Sequence, residues 1–435
     1  MKLNIILRIC AIVSVIIFLT YSYNKVPIVT HGFTAYYTFS RMLLEADDIS
    51  QSYDTVYFNK KINEYGIHNI YDVQYNIPAT SFVYLPVAWL QPQNAKIVWG
   101  IISILFYIFS SVMLLKIYDI KLLGNPGLIL MTIIFLWHPI YENIALGQMF
   151  GLLLFLLVLS LLGLKKKNVI LTSITLTLSI LSKGYGIILY LWLLVSKRYK
   201  IFILSFMLVL LVIVLTIPLI HISSWESFYK LLGTSLGRSD YDSNVAYQSV
   251  NGFIRHLFIY NKELNPNALF NLPNNYILFL TLIINLVIIV ILLFKSKEHS
   301  NYNHLNLLSF SALIAASVVT APIAEEYHYV LMLPLAVGLT GILFCKKNSL
   351  TNITKNDSKN NADSIIKKIL FIISILLIAI PLRYKTLQLS EFPVYLLAYP
   401  KLYGGLIMLG LFYTSFVKNK NVRRNSSGNL QSSLE

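Results

Sequence analysis

Apolar runs of membrane-spanning length recur from the first residues of the chain to position 417. A transmembrane helix needs about 20 mostly apolar residues to cross a bilayer, and about twelve runs approach that length. They lie at positions 4–23, 95–115, 126–137, 149–164, 169–181, 186–195, 201–220, 276–294, 305–319, 329–344, 369–382 and 403–417. Only 12% of the residues are charged, against about 25% in soluble domains. We therefore predict an all-α polytopic membrane protein, with residues 1–417 forming a single transmembrane domain.

The basic residues are placed at the ends of these runs. A formal net charge of +16 could indicate nucleic acid binding, but clusters such as Lys165–Lys167, Lys197–Lys200 and Lys346–Lys347 flank apolar segments. Such clusters keep loops on the cytoplasmic side of a membrane. The charge therefore indicates topology, and no nucleic acid partner is expected. An even number of spans puts both termini in the cytoplasm.

This topology leaves two long external segments, 24–94 and 221–275. Both are rich in aromatic and amide residues, and the stretch 33–44 has the pattern of an interfacial helix whose aromatic face lies among the lipid headgroups. Residues 346–368 have low complexity and predict a flexible cytoplasmic loop, and residues 418–435 predict a basic cytoplasmic tail. We expect functional groups in the external segments.

Several common classes of site lack sequence support. The two cysteines, Cys10 and Cys345, do not form a disulfide framework. No glycine-rich phosphate loop, Cys/His metal spacing or nucleophile elbow occurs. Lys2 and Arg8 precede the apolar stretch 9–19 of the first run, but no small-residue cleavage site follows it, which indicates an uncleaved first helix. No cofactor and no metal site are predicted, and the use of a metal ion stays open.

Polar residues at the ends of apolar runs are the candidate functional groups, because charges near the membrane core are costly. Lys183 lies on the predicted external side, where a basic anchor is not expected; it could bind an anionic group or simply reach the interface. The turn 138–148 carries several hydrogen-bonding residues, although an ordinary turn explains its shape.

Two acidic regions could supply a base. The turn around Glu325, Glu326 and His328 is the densest titratable cluster near the membrane, and it could serve acid/base chemistry, hold a phosphate or be a solvated turn. The first external segment also contains acidic residues, most of which must be solvated loop residues. They are Asp47, Asp48, Asp54, Glu64 and Asp72.

Six short segments, taken in order, resemble one family. The segment 32–41 is similar to D-[FL]-x-x-Y-Y-x-A-x-R, and 75–80 with 85–88 is similar to N-P-P-x and L-P-L-A. Residues 147–150 resemble G-Q-x-N, 181–184 resemble L-x-K-P, 247–255 resemble N-Q-S-x-x-G with a following arginine, and 322–328 resemble P-x-S-W-x-H-H. Together they resemble the polyprenyl-phosphate-mannose-dependent alpha-mannosyltransferase-like family of GT-C glycosyltransferases, from Gly32 to Pro334.

The resemblance implies a GT-C-like fold and transfer of a sugar, mannose or a related hexose, from a polyprenyl-phosphate donor to a lipid or cell-envelope glycan acceptor. The transfer would take place at the outer face of the cell membrane, expected to be a bacterial plasma membrane. The donor phosphate is expected to contact Lys183, Arg255 and His328. Substrate-binding residues are expected at Tyr36, Tyr37, Arg41, Asn76, Gln148 and Gln248.

The catalytic base is the main departure from the family pattern. The acidic residue that the family carries before its aromatic pair aligns with Gly32. An inverting transfer to an acceptor hydroxyl needs one carboxylate to take the proton. Asp72 and Glu325 are therefore the candidate bases, with His328 as a further catalytic candidate.

Two other functions are compatible with the pattern. A lipid-linked sugar flippase or other transporter would also have many spans and intramembrane charges, although the apolar runs suggest no internal repeat. A noncatalytic envelope assembly factor would explain the missing acidic residue at Gly32.

Overall fold

The computed structural model describes residues 2–235, 245–262, 265, 268–299, 303–345, 361–382, 384 and 394–414. The regular secondary structure of the described residues is helical. These residues contain one isolated β-bridge, between Asn261 and Asn265, and no β-strand. The α-helices are α1 (Lys2–Lys25), α2 (Phe33–Leu44), α3 (Thr55–Glu64), α4 (Leu85–Ala88), α5 (Pro92–Ile117), α6 (Asn125–Phe135), α7 (His138–Ala145), α8 (Phe150–Lys165), α9 (Val169–Lys183), α10 (Ile188–Val195), α11 (Tyr199–Ser235), α12 (Val250–Phe258), α13 (Asn274–His299), α14 (Asn303–Val319), α15 (Leu333–Phe344), α16 (Asn361–Ala379) and α17 (Pro400–Thr414).

The predicted all-α membrane architecture is confirmed. Each predicted apolar run coincides with a helix, and six helical segments of the described residues are long and apolar enough to cross a membrane. Three shorter apolar helices accompany them. The eight residues of α10 rise only about 12 Å, less than the bilayer core. The total of about twelve spans therefore stays a prediction.

Small and hydroxyl residues let the central helices approach closely. The Ser160 hydroxyl of α8 lies 2.8 Å from the Thr175 hydroxyl of α9, and a Cβ at Gly163 would lie 2.4 Å from the Thr172 oxygen. Such residues are typical of helix interfaces in membranes, where apolar burial gives little driving force. Helices α8 and α9 are thereby packed against each other next to the short connection that joins them.

The segment 24–94, the first of the two predicted external segments, folds into a compact layer. The 3-10 helices Ile49–Tyr53 and Pro78–Phe82 join α2, α3 and α4 in it. The helix predicted at 33–44 is present as α2, but Tyr36 and Tyr37 are 2% exposed and Phe39 is fully buried. Its aromatic face packs inside the protein and not among lipid headgroups, because the surrounding layer covers it.

Helix α11 is long and bent. Its 37 residues would reach about 55 Å if straight. The backbone leaves the helical conformation at His221, where φ is 53° and ψ is 153°. The part after this bend packs over the first external segment, with the Phe228 ring centroid 6.0 Å from that of Tyr53.

Part of the segment 346–368, predicted as a flexible cytoplasmic loop, is helical. Residues 361–368 form the first turns of α16, where Lys367 pairs with Asp363 at 2.8 Å, an i,i+4 contact that stabilises a helix start. Residues 346–360 and the predicted tail 418–435 lie outside the described residues.

Candidate functional site

Four of the motif segments meet around the ammonium group of Lys183. The nitrogen lies 3.1 Å from the Asn76 side-chain oxygen and contacts the Tyr36 hydroxyl. It also lies over the rings of Tyr36 and Phe150, 4.9 and 5.4 Å from their centroids. Glycine at position 184 ends α9 with φ at 75°, which frees the chain to turn directly after the lysine.

Tyr36 joins this lysine to the 147–150 turn. Its hydroxyl donates a hydrogen bond to Gln148 Oε1 at 3.1 Å. The ring stacks on Tyr84, with centroids 5.0 Å apart and an angle of 9° between the planes. Burial raises the pKa of Tyr36 well above its ordinary value, and nearby Asp72 raises it further. The phenol therefore stays protonated and holds both side chains.

The turn that presents Gln148 is tightly constructed. The buried ammonium of Lys96 donates to the Ile144 carbonyl at 2.9 Å, near the negative end of α7. The Tyr84 hydroxyl donates to the Gly147 carbonyl at 2.7 Å. Gly147 has φ at 61°, and a Cβ there would lie 2.7 Å from Phe33 Cβ. Only glycine fits this position without displacement.

Asp72 supplies a carboxylate at the N-terminus of α2. Its Oδ2 accepts from the Gly32 N–H at 2.7 Å and its Oδ1 from the Val73 N–H at 2.9 Å. Burial raises the pKa of Asp72, and the Gly32 and Val73 N–H groups oppose that rise. Asp72 also interacts electrostatically with Lys183. A carboxylate thus lies beside the position where the family pattern has its acidic residue.

The Glu325–His328 turn forms the opposite wall. The Glu325 N–H donates to His328 Nδ1 at 3.0 Å. The Glu325 carbonyl lies 3.2 Å from the same nitrogen, but the N–H can only donate, so Nδ1 acts as the acceptor. The ring proton then resides on Nε2. The Tyr327 hydroxyl donates to Glu325 Oε1 at 3.3 Å.

Aromatic rings enclose His328. Its ring centroid lies 4.3 Å from that of Phe150, 4.4 Å from Tyr327 and 5.7 Å from Tyr185. Sequence reasoning missed Tyr185 and Tyr327 as site residues, because isolated aromatic residues are common in membrane helices. The buried Lys96 was also missed, although its place at the predicted external end of a span is the feature that indicated Lys183.

Four predicted site residues have their described contacts elsewhere. Arg41 pairs with Glu45 at 2.6 Å, and the Tyr37 hydroxyl donates to the Leu90 carbonyl at 2.7 Å. The Gln248 amide donates to the Ala398 carbonyl at 2.8 Å and accepts from the Lys401 N–H at 3.2 Å.

Arg255 lies on α12 and is 2% exposed, with its Nε 3.2 Å from Asn251 Oδ1. Its neighbour His256 contacts Tyr395, at 5.1 Å between ring centroids. The His256–Tyr395 contact joins α12 to the short 3-10 helix Val394–Ala398 that precedes α17. Roles for Arg41, Tyr37, Gln248 and Arg255 in substrate binding stay predictions.

The cluster has the chemistry to bind a phosphorylated sugar. A compact ammonium and an imidazole N–H can stabilise phosphate oxygens. Two carboxylates lie close enough to interact electrostatically with the ammonium, and either could accept a proton. Among the described residues, no group of three or more His, Cys, Asp and Glu side chains could hold a metal ion.

Comparisons with known proteins give one family. The model of Glycosyltransferase family 87 matches residues 75–322, more than half of the chain, and this range includes Asn76, Gln148 and Lys183. No curated relative matches the chain. The crystal structure of ArnT from Cupriavidus metallidurans in the apo state has a TM-score of 0.35 and 12% sequence identity, and the similarity covers 93% of this chain and 76% of ArnT.

Proposed function

This chain belongs to glycosyltransferase family 87, and from that premise we propose that it transfers a sugar from a polyprenyl-phosphate donor. The sugar is mannose or a related hexose, and the acceptor is a lipid or a cell-envelope glycan. The reaction takes place at the outer face of the cell membrane. Family membership favours a transferase over the flippase and the assembly factor.

The observation that carries the proposal is the placement of Lys183. A partly buried ammonium, 3.1 Å from Asn76 Oδ1 and in contact with Tyr36, stands at the end of an apolar helix. A charge that is partly removed from water next to a membrane is stabilised by an anionic partner. Its described hydrogen-bond partners are uncharged oxygens, while the Asp72 and Glu325 carboxylates interact with it electrostatically. A donor phosphate would supply an anion in direct contact. The acyl chains of membrane lipids at the helix end would surround the apolar polyprenyl chain.

The proposed reaction is an inverting displacement at the sugar carbon. Asp72 takes the proton of the acceptor hydroxyl while the hydroxyl oxygen of the acceptor forms the new bond to the sugar carbon. The bond between the carbon and the phosphate oxygen breaks, and the electron pair leaves with the phosphate. Because a phosphate leaves without protonation, one base suffices. Lys183 and the Nε2–H of His328 stabilise the charge on the departing phosphate.

Glu325 is the alternative base. It is partly exposed, and it accepts a hydrogen bond from the Tyr327 hydroxyl at 3.3 Å. Asp72 is preferred because it belongs to the first external segment, where the resembling family has its acidic residue, and because burial raises its pKa toward that of a useful base.

The sugar ring would lie between the aromatic side chains. Phe150, Tyr185 and Tyr327 present ring faces and edges around His328. A pyranose has an apolar face of C–H groups that packs against such surfaces, while its hydroxyl groups need polar partners at the edge. Gln148 and Asn76 are suitable edge groups, since an amide both donates and accepts.

Reconstitution with defined donors tests the proposal. Purified protein in detergent would be incubated with polyprenyl-phosphate mannose, glucose and galactose, each radiolabelled in the sugar, together with membrane lipid and glycan extract. Transfer of label from at least one donor is expected, and none from the double variant Asp72→Asn/Lys183→Ala. Translocation of labelled lipid across liposomes without transfer would replace the transferase with a transporter.

A further inference from the structure

A second buried network lies beside the candidate site, centred on Glu326. This carboxylate is 6% exposed, and its Oε1 lies 2.8 Å from Lys401 Nζ and 2.8 Å from His138 Nδ1. Its Oε2 accepts from the Tyr384 hydroxyl at 3.1 Å. The three partners come from α7, from the segment after α16 and from α17.

Lys401 carries the C-terminal helices into this network. The side chain is fully buried, and its ammonium also donates to the carbonyls of Ile378 and Ile380 at 2.9 and 2.7 Å. Those carbonyls stand at the end of α16 and just after it. One ammonium therefore joins the ends of both C-terminal helices to the residue next to Glu325.

The network also fixes the distance between the two walls of the site. His138 begins α7, whose other end leads to the Gln148 turn. The Trp137 indole N–H donates to the Tyr329 carbonyl at 3.1 Å and reinforces the same junction. Because α7 is a single short helix, holding its start against Glu326 sets where Gln148 lies relative to His328.

Close packing supports the same role for α17. A Cβ added at Gly405 would lie 2.9 Å from Val319 Cγ2 and 3.0 Å from Met332 Cε. These two residues flank the Glu325–His328 turn on either side in the chain. Helix α17 thus lies directly against the turn.

We propose that Glu326 and Lys401 are positioning residues, and that α16 and α17 form a functional part of the site by holding the Glu325–His328 turn against α7. Both helices lie beyond residue 322, where the match to glycosyltransferase family 87 ends. Neither positioning residue touches the substrate. The catalytic consequence rests on the proposed transferase function, whereas the ordering of the turn does not.

The test must separate positioning from stability, since removing one member of a buried ion pair leaves an unpaired charge. Glu326→Gln/Lys401→Met removes both charges at nearly constant volume, and Tyr384→Phe is a milder variant that removes one hydrogen bond. Lys165→Met is the matched control. Lys165 has partners of the same kinds as Lys401, namely two carbonyls at 2.9 and 2.8 Å and a carboxylate, that of Asp119, at 2.8 Å. These partners lie at the predicted cytoplasmic end of α5.

Two measurements would be made on full-length protein in detergent. Hydrogen exchange followed by mass spectrometry should rise about tenfold or more in peptides covering 322–332 and 138–148 of the double variant. The kcat for transfer from polyprenyl-phosphate mannose should fall about tenfold or more, because a small misplacement of reacting groups is costly. The donor KM should stay within about twofold, since Lys183 is untouched. Lys165→Met should change none of these values.

Exchange at 322–332 equal to that of the unmodified protein, in a double variant that folds, would overturn the proposal. Faster exchange in the turn with an unchanged kcat would overturn its catalytic part. If the unmodified protein transfers no sugar but exchange still rises in the double variant, the transferase proposal fails and the ordering role of Lys401 stands.

Discussion

Lys183 Nζ lies 3.1 Å from Asn76 Oδ1, although 107 residues separate them in the chain. The contact joins a motif in the first external segment to a motif at the end of α9. Each motif alone is short enough to occur by chance. In the folded chain the two motifs meet at one partly buried ammonium and are joined by a hydrogen bond.

Replacing Lys183 by alanine should raise the donor KM about tenfold or more, because a charge-assisted hydrogen bond to phosphate contributes about 1.5–3 kcal/mol. Steady-state kinetics at varied donor concentration measures this. Arg255→Ala should raise the donor KM less, since its described contact is with Asn251. Lys60→Ala is the control, because Lys60 is an exposed lysine of the same predicted external side. An unchanged donor KM in Lys183→Ala would refute the phosphate assignment.

Asp72→Asn should lower kcat about 10²-fold with donor binding retained, because the amide cannot accept the acceptor proton. The pH dependence has a definite sign. The base works as a carboxylate and burial raises its pKa, so the rate should fall on acidification at a higher pH than an ordinary aspartate would cause. Measuring kcat from about pH 4 to about pH 8, a range that covers the titration of a carboxyl group with a raised pKa, tests this.

The control for Asp72 is Asp54→Asn. Asp54 Oδ1 accepts from the Tyr57 N–H at 2.8 Å and caps α3, whereas Asp72 accepts from the N–H of Gly32, the residue before α2. A loss of activity in both variants would point to helix capping as the cause. Full activity in Asp72→Asn together with an inactive Glu325→Gln would transfer the role of base to Glu325.

His328→Gln should keep more activity than His328→Asn. The glutamine amide nitrogen reaches about as far as Nε2, which carries the proton, whereas the asparagine amide reaches only to Nδ1. We expect kcat within about tenfold of the unmodified protein for glutamine and a larger loss for asparagine. Equal losses in the two variants would argue against Nε2–H as the donor to phosphate.

Gly147→Ala should impair both stability and activity. A side chain at φ near 61° costs about 1–2 kcal/mol, and the added Cβ would also meet Phe33 and Lys96. Gly66→Ala separates these two effects, because Gly66 has φ at 80° and nothing lies within 4 Å of its Cβ position. Thermal unfolding and kcat should show a larger loss for Gly147→Ala, and equal losses would mean that the contacts at Gly147 do not matter.

Cysteine reporters test the topology. After removal of Cys10 and Cys345, a cysteine at position 60 or 230 should react with an impermeant maleimide in intact cells, and one at position 355 should react only after lysis. The basic clusters at the helix ends are the reason for this expectation. Labelling at position 355 in intact cells would reverse the orientation and move the candidate site to the cytoplasmic face.

Much of the fold could be predicted because hydrophobic length is a strong signal in a membrane protein. Within the described residues each apolar run overlaps a helix, and Tyr36, Asn76, Gln148, Lys183 and His328 come together, as their predicted location on one side of the membrane favours. The burial of α2 could not be predicted, since an amphipathic pattern does not reveal whether lipid or protein covers its aromatic face. The buried ion pair of Lys401 with Glu326 could not be predicted either, because a lysine near a helix start ordinarily indicates only a membrane boundary.

The bend at His221 connects the thickness of the bilayer to the site. The stretch 201–220 before the bend rises about 30 Å, the width of the hydrocarbon core. Beyond the bend, Phe228 packs on Tyr53, and the Tyr53 hydroxyl donates to the Asn76 carbonyl at 2.8 Å. Longer or shorter acyl chains would shift the bend relative to the headgroups, and hydrophobic mismatch would then be transmitted to the amide that holds Lys183. The thickness of the surrounding bilayer is therefore expected to affect the geometry of the candidate site.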